Sequence, residues 1–206
     1  MATKGKFIVF EGTDGSGKTT QLRLLETYLR SRGLKTYLTR EPTDSAIGTL
    51  LRSCMNGGLE TNEHTIAALF AADRLDHLHT AQDGILQKLD EGVTVLCDRF
   101  YFSSFAYNGG LVPLEWVVSL NTPAMETIRP DLTVFVDLSP EEAMKRVSHR
   151  GEAERYETLE RQRAIRAKYF EIFDRFKDEN HHIVKSEEDM ELTQANIRKI
   201  VDEVLF

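Results

Sequence analysis

Eight residues near the N-terminus have the composition and spacing of a loop that binds phosphate. Gly12 to Thr19 reads G-x-x-x-x-G-K-[ST] and directly follows the apolar run Phe7 to Phe10. Glycines permit positive backbone dihedral angles and close approach, so successive N–H groups converge on an anion at the start of the next helix. Lys18 is expected to reach the outer phosphates, and the Thr19 hydroxyl to bind Mg²⁺. An empty glycine-rich turn is the less favoured reading, because Gln21 to Leu25 continue with helical apolar spacing.

Asp98 and Arg99 follow a second apolar run, Val93 to Cys97, where charged side chains are costly unless they have a partner or a function. One interpretation is a structural ion pair at the end of a strand. The other places Asp98 beside the phosphate loop, holding Mg²⁺ through water, with Arg99 facing a second phosphate. We favour the second interpretation.

Phe70 and Arg74 lie four residues apart in a helical pattern from Asn62 to Asp90 and therefore share one helix face. A planar aromatic ring beside a planar guanidinium suits a nucleobase. Spacing alone favours an ordinary explanation, in which Ile66, Leu69 and Phe70 form a core stripe and Arg74 makes an exposed ion pair with a neighbouring aspartate.

The segment from Glu141 to Arg175 is rich in charge and reads as helix, mobile loop, helix. Arg146 and Arg150 lie four residues apart, and a solvated helix with salt bridges to Glu142 explains them. Alternatively Arg146, Arg150 and Arg155 belong to a lid that closes over transferring phosphates. The spacing leaves both explanations open.

Strand-like runs alternate with helical patterns along the whole chain, which predicts an α/β fold with a parallel sheet covered on both faces. In such sheets ligands bind beyond the carboxyl ends of the strands. The phosphate loop, Arg40 with Pro42, and Asp98 with Arg99 each follow a strand-like run, so they are expected to meet at one edge. The predicted strands are Phe7 to Phe10, Thr36 to Thr39, Val93 to Cys97, Leu132 to Val136 and His182 to Val184.

The bulk composition limits the classes of protein. With 206 residues, 41% of them hydrophobic, the chain is expected to form a single domain, 1–206. A net charge of −7 argues against a nucleic-acid-binding surface. Cys54 and Cys97 lack metal-ligand spacing and are expected to be buried thiols in a reducing compartment. No apolar run approaches the roughly 18 residues of a membrane span, so we expect a cytoplasmic protein that does not bind membranes.

Six motifs in this order closely resemble the thymidylate kinase family, nearly from end to end. Adenylate, cytidylate and guanylate kinases share the phosphate loop but not the rest of the set. The motifs are Gly12 to Thr19, Arg40-Glu41-Pro42, Phe70 with Arg74, Asp98-Arg99-Phe100, Ser103-Ser104-Phe105-Ala106-Tyr107, and the lid from Arg146 to Arg155.

The resemblance implies a P-loop nucleoside-monophosphate-kinase fold, with a five-stranded parallel sheet flanked by helices and a small lid at about 146–158. It implies ATP and Mg²⁺ as cofactors and a dTMP-binding part at about 40–110. The implied reaction is the phosphorylation of dTMP to dTDP by a homodimer. The nearest rival is a kinase for another nucleoside monophosphate. A nucleotide-dependent switch fits less well, because the guanine-reading N-K-x-D motif is absent.

Roles for individual residues also follow from the resemblance. It reverses the ordinary explanation of Phe70 and Arg74, because residues like these stack on thymine and bond its exocyclic oxygen. Arg40, Arg52 and Arg99 would hold the acceptor phosphate. Ser104 would line the base pocket, and Tyr107 would lie against the sugar and disfavour a 2′-hydroxyl. Asp14 would lie near the sugar 3′-hydroxyl and the metal. The residues implied to bind ATP are Gly12, Thr13, Asp14, Gly15, Ser16, Gly17, Lys18, Thr19, Thr20 and Arg146. Pro42 and Asn108 complete the implied dTMP site, and Thr19 and Asp98 form the implied metal site. The implied catalytic residues are Lys18, Asp14, Arg99, Arg150 and Arg155.

The sequence departs from the family pattern at two places. Thr43-Asp44 replaces the usual Gly-Gly after Arg-Glu-Pro, and Asn108 stands where glutamine is common. Gly15 occupies the position at which eukaryotic-type members carry an arginine, whereas the lid supplies Arg150 and Arg155. This is the bacterial-like arrangement.

Overall fold

The computed structural model describes residues 4–148 and 158–206. In these ranges the chain forms a sheet of five parallel strands in the spatial order β2-β3-β1-β4-β5. Each strand agrees with its sequence prediction to within one residue at either end. The strands are β1 (Phe7–Glu11), β2 (Thr36–Arg40), β3 (Thr94–Asp98), β4 (Leu132–Asp137) and β5 (His181–Lys185).

Helices connect the strands and cover both faces of the sheet. None of the helices in the described ranges is both long and apolar enough to cross a membrane. They are α1 (Lys18–Ser31), α2 (Ala46–Met55), α3 (Glu63–His79), α4 (Ile85–Asp90), α5 (Tyr101–Tyr107), α6 (Leu114–Thr127), α7 (Pro140–Ser148), α8 (Leu159–Arg175) and α9 (Met190–Leu205).

The helical pattern from Asn62 to Asp90 is wrong as a single element, because the structure divides it into α3 and α4. The chain leaves the helical conformation at Thr80, and Asp83 has a positive φ of 65°. Leu78 and Ile85, on either side of the break, both lie in one apolar cluster. The apolar spacing therefore continues across the break, which is why the pattern did not reveal it.

The two faces of the sheet follow from the alternation of side chains along each strand. In β1, Phe7 and Val9 pack with α3, α5, α6 and α8 on one face. Ile8 and Phe10 pack with α1 and α9 on the other. Since both sets are fully buried, nearly every residue of the central strand must be apolar, as the sequence indicated.

The register brings the carboxyl ends of three strands into line. Asp98 lies beside Phe10 of β1 on one side and Arg40 of β2 on the other. The loops after these strands therefore leave the sheet at one edge, as predicted.

Both cysteines are free and buried, as predicted. Burial, followed by the charges of Glu41 and Asp98, raises the pKa of the Cys97 thiol well above its usual value. Cys97 is therefore an unreactive core residue.

Candidate active site

The loop between β1 and α1 has the backbone geometry of a phosphate cradle. Gly17 caps α1 with a φ of 96°, in the left-handed region. At Gly12 (φ 148°), a Cβ would lie 2.7 Å from the Val136 carbonyl oxygen, so no side chain fits there. The Thr13 and Ser16 hydroxyls are buried and have no hydrogen-bond partner within the described part of the chain. Buried donors without partners fit the oxygens of a phosphate group.

Lys18 is held inside this loop with only 7% of its surface exposed. Its Nζ donates to the Thr13 carbonyl oxygen at 2.9 Å. Burial, together with the positive charge of Arg99, lowers the pKa of Lys18 to about 8. The ammonium lies in a setting that disfavours its charge, so an anion entering the loop would stabilise it.

Thr19 and Asp98, the two predicted metal residues, are in direct contact. Thr19 Oγ1, at the start of α1, donates to Asp98 Oδ2, at the end of β3, at 2.8 Å. Within the described ranges no three or more His, Cys, Asp or Glu side chains could together hold a metal ion. One hydroxyl and one carboxylate fit Mg²⁺ bound to nucleotide, because that ion retains water and phosphate oxygens as most of its ligands.

Asp14, Arg99 and Tyr107 form a closed triangle beside the loop. Arg99 Nη2 donates to Asp14 Oδ1 at 2.5 Å and to the Tyr107 hydroxyl at 3.1 Å, and that hydroxyl donates to Asp14 Oδ2 at 2.9 Å. Arg99 has a positive φ of 74°, an uncommon conformation that is found at functional sites. Burial alone would raise the pKa of Asp14, but the charges of Arg99 and Lys18 outweigh it and lower the pKa to about 2.

Glu11, to which the sequence analysis gave no role, is hydrogen-bonded to residues next to this triangle. Its buried carboxylate accepts from Phe100 N (2.9 Å), Ser103 Oγ (2.5 Å) and the Tyr169 hydroxyl (2.8 Å). Ser103 Oγ in turn accepts from Arg99 Nη1 at 3.0 Å. Burial raises the pKa of Glu11. A charged residue at the end of an otherwise apolar strand was the signal that could have identified it.

Arg74 is buried rather than exposed, which overturns the explanation based on spacing alone. Only 1% of it is accessible, and its Nε donates to Glu41 Oε2 at 2.8 Å. Its Nη1 donates to Ser104 Oγ at 3.0 Å and also to Asn121 Oδ1. Glu41 additionally contacts His77 Nδ1 at 3.2 Å. Glu41, His77 and Asn121 were not predicted; for Glu41 the available signal was a charge directly after a strand.

Phe70 does not belong to a core stripe. In the described residues it is partly buried and lies outside both apolar clusters, whereas Ala67, Ala71 and Leu78 form the buried face of α3. Phe70 precedes Arg74 by one turn of α3. Asn108, the residue that caps the C-terminus of α5, is only 5% exposed. Its side-chain Oδ1 has no hydrogen-bond partner in the described structure.

Arg40 and Arg52 meet at one carboxylate. Arg40 Nη2 lies 3.0 Å and Arg52 Nη2 3.1 Å from Asp44 Oδ1. Arg52 Nη1 also donates to the carbonyl oxygens of Pro42 (3.1 Å) and Thr43 (2.5 Å). Pro42 thus contacts Arg52 through its backbone, after a cis peptide bond with Glu41.

Arg146 points toward the phosphate loop. Its Nη1 donates to Ser186 Oγ at 3.2 Å and lies 3.8 Å from where a Cβ on Gly17 would be. Glu142 instead accepts from Ser139 Oγ at 2.8 Å, so the salt bridge suggested by spacing is not formed among the described residues. Arg150 and Arg155, and most of the predicted lid at 146–158, lie outside the described residues.

A glycine-rich loop at the carboxyl edge of a five-stranded parallel sheet, with arginines gathered beyond it, defines a P-loop kinase of the nucleoside-monophosphate type. The family model described as thymidylate kinase matches residues 10–197. The chain belongs to this thymidylate kinase family.

Three relatives illustrate the similarity. A probable thymidylate kinase of Pyrococcus horikoshii is 38% identical over 182 residues, covering 85% of this chain and 86% of that protein. The thymidylate kinase of Caldicellulosiruptor saccharolyticus is 35% identical over 207 residues, 98% of each chain. That of Symbiobacterium thermophilum is 37% identical over 207 residues, covering 97% of this chain and 94% of that one.

Proposed function

We propose that this protein transfers the γ-phosphoryl group of ATP to the 5′-phosphate of dTMP, giving ADP and dTDP. The observation that carries the proposal is a contact between two separate elements. Arg99 Nη2, in the segment after β3, donates at 2.5 Å to Oδ1 of Asp14 in the phosphate loop. A site for a donor phosphate and a site for an acceptor phosphate thereby adjoin, as in-line transfer requires.

On the donor side, the residues that would bind ATP are those of the loop from Gly12 to Thr19, followed by Thr20, with Arg146 above them. The Thr13 and Ser16 hydroxyls, which have no hydrogen-bond partner among the described residues, and the buried Lys18 support this assignment. Thr19 and Asp98 would hold Mg²⁺, which when bound neutralises phosphate charge.

On the acceptor side, Arg40, Arg52 and Arg99 would hold the phosphate of dTMP. Phe70 would stack on thymine, and Arg74 would bond its exocyclic oxygen, with Ser104 and Asn108 beside the base. Asn108 Oδ1 has no partner in residues 4–148 and 158–206, and it is an acceptor suited to a base N–H. Tyr107 and Asp14 would face the sugar; they already bond each other at 2.9 Å, which limits the space for a 2′-hydroxyl.

The proposed reaction needs no general base. The second pKa of a phosphate monoester is near 6, so at neutral pH the attacking oxygen is already mostly ionised. The barrier is the repulsion between two anions, and the chain opposes it with Lys18 and Arg99. The lid arginines Arg150 and Arg155 are proposed to add charge and, on closing, to exclude water that would hydrolyse ATP.

The direct experiment is an acceptor panel. Purified protein with ATP and Mg²⁺ is assayed for ADP release with dTMP, dUMP, dCMP, dGMP or AMP, and without acceptor. We expect rapid turnover with dTMP and little without any acceptor, with Lys18→Met as an inactive control. Preference for another nucleotide would assign a different kinase, and ATP turnover that needs no acceptor would favour the nucleotide switch.

The family resemblance also leads us to propose a homodimer, for which sedimentation should give twice the 23.5 kDa chain mass. A cytoplasmic location is proposed on the same basis, and the free buried Cys54 and Cys97 are consistent with it. Fractionation of cells that express the protein would check the location.

A further inference from the structure

Two arginines of the acceptor side, Arg40 and Arg52, share an anion that belongs to the protein itself. Asp44 Oδ1 lies 3.0 Å from Arg40 Nη2 and 3.1 Å from Arg52 Nη2. Asp44 belongs to one of the two places at which the chain departs from the family pattern, and the glycine that is usual at its position has no carboxylate. The third acceptor arginine, Arg99, pairs with Asp14 instead.

The Asp44 carboxylate contributes little to the fold. Its side chain is 76% exposed and that of Arg40 is 64% exposed, and ion pairs this open to solvent stabilise proteins only weakly. It also borders a cavity of about 600 Å³, lined by Arg40, Ser45 and Asp76 among others. Asp44 can therefore leave the arginines at small cost.

The surrounding loop is fixed by other groups. Buried Asp73 accepts from Thr43 N at 2.8 Å, from Thr43 Oγ1 at 2.6 Å and from Ser45 Oγ at 3.2 Å. Arg52 is also anchored to the carbonyl oxygens of Pro42 and Thr43. Removing the Asp44 charge therefore leaves the loop and Arg52 in place.

We propose that Asp44 acts as an internal competitor for the acceptor phosphate: it occupies Arg40 and Arg52 in the empty protein and is displaced when a nucleoside monophosphate binds. This inference rests on the proposed function, since it requires those arginines to hold the acceptor phosphate. A phosphate dianion carries more charge than a carboxylate and has more oxygens for two guanidinium groups, so it wins the exchange. The exchange weakens acceptor binding and makes occupancy of this site depend on the phosphate, so that a nucleoside without phosphate does not displace Asp44.

The test compares Asp44→Asn with Asp76→Asn. Asp76 is exposed and borders the same cavity, and in the described part of the chain it forms no ion pair with Arg40 or Arg52. Its variant therefore removes the same charge from the same region. We expect Asp44→Asn to lower the KM for dTMP about three- to tenfold, the size expected from two solvent-accessible ion pairs, with a smaller change in kcat. Asp76→Asn should leave the KM close to that of the wild type.

Calorimetry with dTMP and with thymidine distinguishes the contribution of the phosphate to binding from that of the nucleoside. Asp44→Asn should tighten dTMP binding and leave thymidine binding unchanged. An unchanged or raised KM, an equal gain for thymidine, or the same gain in Asp76→Asn would overturn the inference. If the wild type phosphorylates a different nucleoside monophosphate, the proposed function fails, and the Asp44 comparison is made with that acceptor because the phosphate is common to both.

Discussion

Arg74 and Glu41 form an ion pair whose side chains are 1% and 2% exposed, with Arg74 Nη2 lying 2.7 Å from Glu41 Oε2. The pair joins α3 to the loop after β2, and Ser104 and Asn121 complete the shell around the guanidinium. Arg74 is thus held in position before any ligand arrives. A fixed arginine can bond a nucleobase without paying the entropy of ordering a long side chain.

We predict that Glu41→Gln destabilises the fold by about 3–5 kcal/mol, because the Arg74 charge then remains buried without a counter-charge. Urea unfolding followed by circular dichroism measures this free energy. Asp44→Asn is the matched control: it also removes an arginine's partner, but an exposed one, and should change the free energy of unfolding by no more than about 0.5 kcal/mol. Equal losses in the two variants would contradict this view of the Arg74 pair.

Replacing Phe70 tests the base site with little risk to the fold, because this ring lies outside both apolar clusters of the described residues. We expect Phe70→Ala to raise the KM for dTMP about tenfold or more, since stacking on an aromatic ring is worth roughly 1–3 kcal/mol per base. Leu69→Ala, the neighbouring partly buried position on α3, should leave the KM near its wild-type value. An unchanged KM in Phe70→Ala would remove Phe70 from the site.

The lowered pKa of Lys18, about 8, predicts how activity depends on pH. Burial disfavours the ammonium, so in the empty protein its charge is lost as the pH rises through 8, and the attraction for phosphate falls with it. The kcat/KM for ATP should therefore decline with an apparent pKa near 8. The kcat should persist to higher pH, because bound ATP stabilises the charged form. A flat kcat/KM profile up to pH 9.5 would contradict the assignment. In Lys18→Arg, whose charge does not titrate in this range, any residual ATP binding measured by calorimetry should lose the decline.

Tyr107 is predicted to set the preference for a deoxyribose. Its hydroxyl donates to Asp14 and accepts from Arg99, which fixes the ring against the proposed sugar site. Tyr107→Phe removes this anchor and should raise the activity on the ribose analogue of dTMP relative to dTMP itself. Tyr101→Phe, a buried tyrosine bonded to Glu179, serves as the control and should leave the ratio unchanged. The two initial rates, measured side by side, decide the outcome.

Features encoded by neighbouring residues were well predicted. The five strands and the phosphate loop follow from local apolar patterns and from glycines at required positions. The position of Asp98 beside the phosphate loop was also predicted, because parallel strands end at a common edge and the motif fixes where α1 begins. The direct hydrogen bond from Thr19 to Asp98 is a finding of the structure. In contrast, the break between α3 and α4 was missed, since the apolar spacing runs through it.

The sequence by itself determined the class of fold, the phosphate loop and the edge at which the ligands bind, because these depend on backbone conformation and on the period of buried side chains. In the described part of the chain, the tertiary structure alone decided which partners the buried charges Arg74 and Glu11 have. Arg74 finds Glu41 across 33 residues and Asn121 across 47, and Glu11 reaches Tyr169 across 158. Such pairs depend on how separate elements pack, and no spacing along the chain encodes them.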